Sequence, residues 1–169
     1  MSSRAANGPC NLGTFLGQAA ASPQVNHTTL VLVDCAQGQH LAVSWIDNSD
    51  GSYTTCLNQR LPPLGITTQQ VEVVLWKDAD RYPSVSLTSS TVCQSQPLPI
   101  PLSNPDACTY EQYLGLMARF LKSVFPNVKQ LFVHSRTYGG YATIALTPER
   151  FAYEYGFVIK WFFGTQIMS

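Results

Sequence analysis

Three short polar segments, each directly after an apolar run, hold the side chains of this sequence that are best suited to chemistry. The segments are residues 34–39, 77–80 and 134–140. In the third segment, His134 can take up a proton, Ser135 offers a hydroxyl and Arg136 suits a substrate anion. Tyr138 suits stacking on a sugar ring. The structural alternatives are that Arg136 fixes its own loop, that Tyr138 packs against the protein and that His134 simply ends a strand.

The apolar run before each segment predicts a strand of a parallel sheet. The predicted strands are Thr28–Asp34, Val71–Lys77 and Val128–His134. The first two are nearly continuous in apolar residues, as in strands buried on both faces. Helical patterns between them imply crossover connections and a parallel sheet. Parallel strands bring their carboxyl ends to one edge, where ligands bind in open α/β folds. The three polar segments are therefore predicted to line one crevice.

The fold class predicted from this order is α/β, with a mostly parallel sheet and helices on both faces. The strongest helix is Thr109–Phe125, where Thr109 and Gln112 fit a capping box and Leu114, Met117, Leu121 and Val124 form a buried stripe. A last helix is predicted to start at Thr147-Pro148-Glu149. Shorter helices are predicted over 14–21, 40–46 and 53–61, and residues 81–106 form a long irregular connection.

Composition bounds the class of protein. The 169 residues are most simply one domain, 1–169. Charged residues make up 12% of the chain, and the formal net charge is zero, so nothing favours nucleic acid or an anionic membrane surface as a partner. No run of 18 apolar residues exists to span a membrane. The sequence contains no phosphate loop, dinucleotide fingerprint or metal-type spacing, so no cofactor is implied.

The cysteines and one short motif indicate the cellular compartment in which the protein folds. The five cysteines are an odd number, and Cys93 and Cys108 flank a proline-rich loop that an oxidising compartment would allow them to bridge. Asn26-His27-Thr28 matches a glycosylation sequon. Both features favour a secreted protein, and the alternative is a set of unpaired thiols with an unused sequon.

Several stretches together resemble an uncharacterised branch of the SGNH (GDSL-type) hydrolases. They are DCAQGQ followed by a tryptophan, VEVVLWK, FPNVKQLFVHSRTYGGYA and TPERFAYEYGFVIKW, and the resemblance runs from about Gly8 to Ile167. It implies a three-layer α/β/α fold with a parallel sheet and a Ser-His-Asp hydrolase of small acyl or acetyl esters, including esters of carbohydrate. It also implies that a glycine in the second block and an asparagine in the third hold the oxyanion.

Carried over residue by residue, this resemblance is uneven. Gly38 matches the second-block glycine, with Gln37 and Gln39 beside it as substrate contacts. Cys10, in Gly-Pro-Cys-Asn, stands where relatives have the nucleophilic serine, and a thiol can serve in that role. The third-block asparagine has no match, and Lys77, next to Asp78, is the cation offered in its place.

The last block of the family, Asp-x-x-His, occurs nowhere in the chain. His27 precedes a strand and His40 is expected to be exposed on a helix, which leaves His134 as the substitute base. The strand that precedes the first block in relatives is also missing. The hydrolase hypothesis therefore expects an impaired, incomplete domain that continues past Ser169 and dissolves poorly alone. The alternative is a non-catalytic α/β binding or structural domain, and a third hypothesis is a Cys10–His134 thiol enzyme.

Overall fold

The computed structural model describes residues 15–38, 40–78, 83–134 and 149–168. The helices are α1 (Phe15–Ala21), α2 (Ser52–Thr55), α3 (Asp106–Val124) and α4 (Glu149–Met168), and the strands are β1 (Val73–Trp76) and β2 (Gln130–Val133). α2 continues as a π-helical turn, Cys56–Arg60, and 3-10 turns cover Ala42–Trp45, Pro62–Leu64 and Thr68–Gln70. This part of the chain is therefore of mixed α/β type.

The two strands pair in parallel. Val73 lies opposite Gln130 and Trp76 opposite Val133. Because α3 lies between the strands in the chain, the unit is a strand–helix–strand crossover, which parallel pairing requires. The predicted elements Val71–Lys77 and Val128–His134 are thus confirmed as a parallel pair, each shorter than its apolar run.

The core lies between α3, α4 and the inner face of the sheet. Leu114, Met117 and Leu121 of α3 are buried, as their helical spacing predicts. Tyr155 and Val158 of α4 pack in the same cluster. α4 has 20 residues, yet within the described ranges neither it nor any other helix has the length and apolar character needed to cross a bilayer.

The outer face of the sheet is exposed, which corrects the prediction that its strands are buried on both faces. Side chains alternate along a strand, so Val74 and Trp76 turn inward while Val73 and Leu75 turn outward. Leu75 is 57% exposed and its partner Phe132 is 53% exposed. A continuous apolar run gives no period, so it cannot tell a strand covered on two faces from one covered on a single face.

The predicted strand Thr28–Asp34 is wrong. Residues 27–29 form a turn, and no residue from 28 to 34 is in a strand. The Asn26 side-chain oxygen accepts the backbone N–H groups of Thr28 and Thr29 at 2.9 and 3.2 Å, and the Asn26 carbonyl accepts that of Leu30 at 3.1 Å. Local hydrogen bonds from side chains and turns compete with the backbone hydrogen bonds of a sheet. These three N–H groups are therefore not available to a neighbouring strand.

The start of the longest predicted helix also differs from the prediction. α3 begins at Asp106, after Pro105, and not at a Thr109–Gln112 capping box. Gln112 instead bonds the backbone of Gln96 in both directions, at 2.8 and 2.6 Å. The Asp106 carboxylate accepts the N–H groups of Ser84 and Val85 at 2.7 and 2.5 Å. Long-range partners therefore decide where this helix begins.

Residues 83–105 have no helix or strand, as the prolines predict. Hydrogen bonds from side chains of α3 and α4 fix their position. Besides Asp106 and Gln112, the buried carboxylate of Glu154 on α4 accepts the Leu87 N–H at 3.2 Å. A disulfide joins Cys93 to Cys108 at the start of α3. The connection is consequently attached to both long helices.

Candidate functional site

The carboxyl ends of β1 and β2 bring two of the predicted segments together. The His134 N–H donates to the Trp76 carbonyl at 2.8 Å, so the residues that follow both strands start side by side. Lys77 is exposed, and the Asp78 carbonyl accepts the Tyr110 hydroxyl at 2.9 Å. We call Lys77, Asp78 and His134 the carboxyl-edge site.

Aromatic packing connects the last residue of β1 to the 3-10 turn Ala42–Trp45, which follows the Gln37–Gly38 loop in the chain. The rings of Trp45 and Trp76 meet edge to face with centroids 5.1 Å apart, and His40 lies 5.7 Å from Trp45. Trp76 is the last residue of β1, so the 3-10 turn Ala42–Trp45 packs against that strand end. Convergence of the Gln37–Gly38 loop with Lys77 and His134 stays a prediction, and the residues before this loop are not a strand.

Gln37 is held by α2. Its side-chain amide donates to the Ser52 carbonyl, and its side-chain oxygen accepts the Thr55 hydroxyl at 3.2 Å. Gly38 next to it is exposed. The polar groups of Gln37 are thus engaged within the protein, which makes Gln37 a positioning residue for the Gly38 backbone and not a side chain free to contact substrate.

Sequence analysis missed a serine, a histidine and an aspartate that meet beside this loop. The Ser52 hydroxyl oxygen lies 3.0 Å from His40 Nδ1 and 2.5 Å from the Ser44 carbonyl oxygen, and it also contacts the Asp50 carboxylate. A hydroxyl has one proton to donate. If that proton goes to Ser44 or Asp50, His40 must donate from Nδ1 to Ser52.

This group is not arranged as a catalytic triad. In a triad the histidine lies between serine and carboxylate, whereas here the serine lies between His40 and Asp50. Ser52 is also fully buried, so no ester can reach its oxygen. Burial opposes ionisation of Asp50, but hydrogen bonds from Ser52 and Ser44 and the nearby His40 outweigh it and lower the pKa of Asp50. The group anchors the loop that carries Gly38.

The structure places the three histidines in different surroundings. His27 is exposed, and its Nε2 lies 3.0 Å from the Ser22 carbonyl oxygen. His40 is half-buried beside Ser52, which corrects the expectation that it is a solvent-exposed helical residue. His134 is exposed at the carboxyl edge of the sheet. The predicted role of His134 as a base stays a prediction.

Four of the five cysteines are paired. Besides Cys93–Cys108, a disulfide that sequence analysis did not anticipate joins Cys35 to Cys56, 21 residues apart. It ties the segment before Gln37 to the π-helical turn after α2. Cys10 is the remaining cysteine of the chain.

Several predicted site residues lie outside the described part of the chain. They are Cys10, Gln39, Ser135, Arg136 and Tyr138. Within the described ranges, no three histidine, cysteine, aspartate or glutamate side chains gather as a metal site would require.

A separate groove of about 700 Å³ lies between α3, α4 and the long connection. Val92 and Cys93 line it from the connection, Glu111 from α3, and Lys160 and Trp161 from α4. Burial raises the pKa of the Glu111 carboxyl. None of the predicted site residues within the described ranges, Gln37, Gly38, Lys77, Asp78 and His134, lines this groove.

Searches of protein-family models, of curated proteins and of solved structures find no match to this chain.

Proposed function

We propose that this chain is an SGNH-like ester hydrolase domain, acting on a small acyl or acetyl ester such as an acetylated carbohydrate. The observation that carries the proposal is that Lys77–Asp78 and His134 follow two parallel strands side by side, where the His134 N–H donates to the Trp76 carbonyl. The proposal places the Gln37–Gly38 loop at the same edge. A crevice at this edge is where α/β folds bind ligands.

The chemistry proposed for this edge is acyl transfer through a thiol. The Cys10 thiolate attacks the ester carbonyl carbon, forming a C–S bond while the carbonyl electrons move onto oxygen. The Gly38 N–H and the Lys77 ammonium stabilise that oxyanion, and one such donor is worth roughly 2.7–4 kcal/mol in known cases. The intermediate then expels the alkoxide, which takes a proton from His134 or water. Water finally hydrolyses the thioester, which releases the acid and the thiol.

Without an Asp-x-x-His pair, the last step lacks a strong base, so the proposal predicts fast acylation and slow turnover. The test uses p-nitrophenyl acetate with the purified full chain. We expect an initial release of about one nitrophenolate per chain, with the acetyl group found on Cys10 by peptide mass spectrometry. Failure of Cys10 to acquire the acetyl group would refute the thiol mechanism.

Two lysines provide a matched test of the oxyanion role. Lys77 lies at the carboxyl edge, whereas Lys129 lies at the opposite end of the sheet, 2.7 Å from Glu72. Lys77→Met should slow acylation roughly 100- to 1,000-fold, since it removes a positive charge that stabilises the oxyanion. Lys129→Met should leave the acylation rate unchanged. Equal effects of the two variants would argue against a role for Lys77.

The burial of Ser52, together with its contacts to His40 and Asp50, favours a second function. Among the described residues, the serine, histidine and aspartate that do meet are used to anchor a loop, as expected of a non-catalytic α/β binding or structural domain. Such a domain would keep the crevice and bind its ligand unchanged. Inertness of the chain toward both serine-directed and cysteine-directed acylating probes would support this alternative over the hydrolase.

The two disulfides support an oxidising compartment for the protein. Disulfides persist in secreted and extracellular proteins and are rare where glutathione keeps thiols reduced. We therefore place the proposed ester substrate outside the cytosol. Isolation of the protein from its source with Cys35, Cys56, Cys93 and Cys108 all as free thiols would contradict this assignment.

A further inference from the structure

Asn26-His27-Thr28 occupies an exposed turn after α1. All three side chains are exposed. The Asn26 side-chain oxygen accepts the N–H groups of Thr28 and Thr29, which is an Asx-type turn. No described residue accepts a hydrogen bond from Asn26 Nδ2. The nitrogen that would carry a glycan is thus accessible, and the local geometry does not have to open to present it.

The disulfides give independent support for passage through a compartment where such modification occurs. Cys35–Cys56 and Cys93–Cys108 require oxidising conditions, and the first of these pairs holds the chain only nine residues beyond Asn26. In cells that secrete proteins through an oxidising lumen, disulfide formation and attachment of N-linked glycans share that lumen. A chain that acquires these two pairs there is also exposed to the transferase.

An apolar surface next to the turn explains what a glycan would do. Leu30, Val31 and Leu32 are 49, 55 and 37% exposed, four to six residues after Asn26. Contiguous exposed apolar surface promotes association. A bulky, hydrated oligosaccharide on Asn26 would stand over this run and keep it from other chains.

The geometry points to Asn26 as an N-glycosylation site whose glycan shields residues 30–32. The co-reactant is an oligosaccharide carried on a polyprenyl diphosphate. Asn26 Nδ2 forms a bond to the first sugar carbon, the bond from that carbon to the diphosphate oxygen breaks, and the amide proton passes to a base of the transferase. The diphosphate leaves with the bonding electrons. This inference is independent of the hydrolase proposal, since it uses neither Cys10 nor the carboxyl-edge site.

The first test is the mass of the protein isolated from its source, before and after treatment with peptide-N-glycosidase. We expect the peptide that contains Asn26 to carry a heterogeneous added mass and to end with aspartate at position 26 after treatment. A native protein whose Asn26 is fully unmodified would overturn the inference.

The second test uses the full chain translocated into microsomes behind a cleavable signal sequence. Asn26→Gln and Thr28→Ala should each abolish the glycosidase-sensitive mass in the translocated chains. Thr29→Ala is the matched control, because Thr29 is the next residue but lies outside the sequon, and it should leave the glycan in place. Translocated wild-type chains without a glycan would overturn the assignment, as would loss of the glycan in Thr29→Ala.

The shielding role has its own readout. Enzymatic removal of the glycan should raise binding of an apolar dye and increase aggregation, and a Val31→Thr/Leu32→Thr variant should suppress both effects. An aglycosyl protein that behaves identically with and without those two substitutions would show that the glycan does not cover the apolar run.

Discussion

At the scale of single residues, we expect the buried hydrogen-bond network around Ser52 to contribute to the stability of the protein. Its buried hydroxyl joins His40, Ser44 and Asp50. We expect Ser52→Ala to lower the free energy of unfolding by about 1–3 kcal/mol, because the groups it leaves behind lose a buried partner. Urea unfolding measures this loss. Ser52 should also stay unlabelled by a fluorophosphonate, since no probe reaches it.

Ser123 supplies the control for that substitution. It is exposed on α3, and its hydroxyl donates to the Phe120 carbonyl at 2.6 Å. Ser123→Ala should change the free energy of unfolding by no more than about 0.5 kcal/mol, as is usual for exposed positions. If both variants lose equal stability, the buried network around Ser52 has no special weight.

Glu111 makes a pH-dependent contribution that opposes folding at neutral pH. Burial raises the pKa of its carboxyl, so the folded chain binds this proton more tightly than the unfolded chain does. Stability linked to Glu111 is therefore complete below the unfolded pKa and declines as the pH rises through the folded one. Glu111→Gln should raise the melting temperature at pH 7 and leave it unchanged near about pH 3.

The exposed Glu72 is the contrasting position. It pairs with Lys129 at 2.7 Å, and both side chains are more than half exposed. Glu72→Gln should therefore have little effect on the melting temperature at either pH, or a slight loss at pH 7. A stability gain in Glu72→Gln equal to that in Glu111→Gln would point to net charge and not to burial as the cause.

At the scale of elements, the Cys93–Cys108 disulfide fastens the long connection to α3. The two cysteines are 15 residues apart. A closed loop of that length restricts the unfolded chain by roughly 3 kcal/mol. Cys93→Ser/Cys108→Ser should lower the free energy of unfolding by about 2–4 kcal/mol in denaturant titrations. The Trp45–Trp76 contact should survive in this variant, so its near-ultraviolet circular dichroism should be retained below the transition.

Elements with a strong local signal were predictable from the sequence, and those decided by distant partners were not. The buried stripe of α3 and the runs that became β1 and β2 carry their own periodicity or β-branched composition. The start of α3 depends on Ser84 and Val85, and the turn at 27–29 depends on the Asn26 side chain, which an apolar pattern does not register. Tertiary partners override local propensity in such places.

The same distinction separates the parts of the candidate site that could be predicted from the sequence from those that could not. Lys77 and His134 follow confirmed strands, so their meeting could be predicted from topology alone. Ser52 could not, because its partners His40, Ser44 and Asp50 lie on irregular turns whose geometry no period describes. The Cys35–Cys56 pair was equally hidden, since five cysteines allow many pairings and spacing does not choose among them.

At the scale of the whole molecule, the uncovered face of the sheet should control self-association. Val73, Leu75 and Phe132 form an apolar strip on a pair of strands whose outer edges have no described neighbour. Open edges and apolar faces favour aggregation. We expect concentration-dependent association in light scattering, and Leu75→Thr should reduce it with a stability change below about 1 kcal/mol. Monomeric behaviour of the unsubstituted chain at high concentration would contradict this expectation.

Val74 is the inward-facing neighbour that serves as the control. It packs against the core from the opposite face of β1. Val74→Thr buries a hydroxyl in an apolar setting, so it should destabilise the protein by roughly 1–3 kcal/mol without relieving association. The two threonine variants thus separate solubility from stability at adjacent positions of one strand.

The perpendicular contact between Trp45 and Trp76 provides an intrinsic fluorescence signal. The chain has three tryptophans, and the third, Trp161, lies on α4. In a Trp161→Phe protein, all remaining indole emission comes from the pair that joins the Ala42–Trp45 turn to the end of β1. Candidate esters or sugars can be titrated into that protein. Changes in the wavelength and intensity of tryptophan emission would then report ligand binding in the crevice, with no attached label and no turnover.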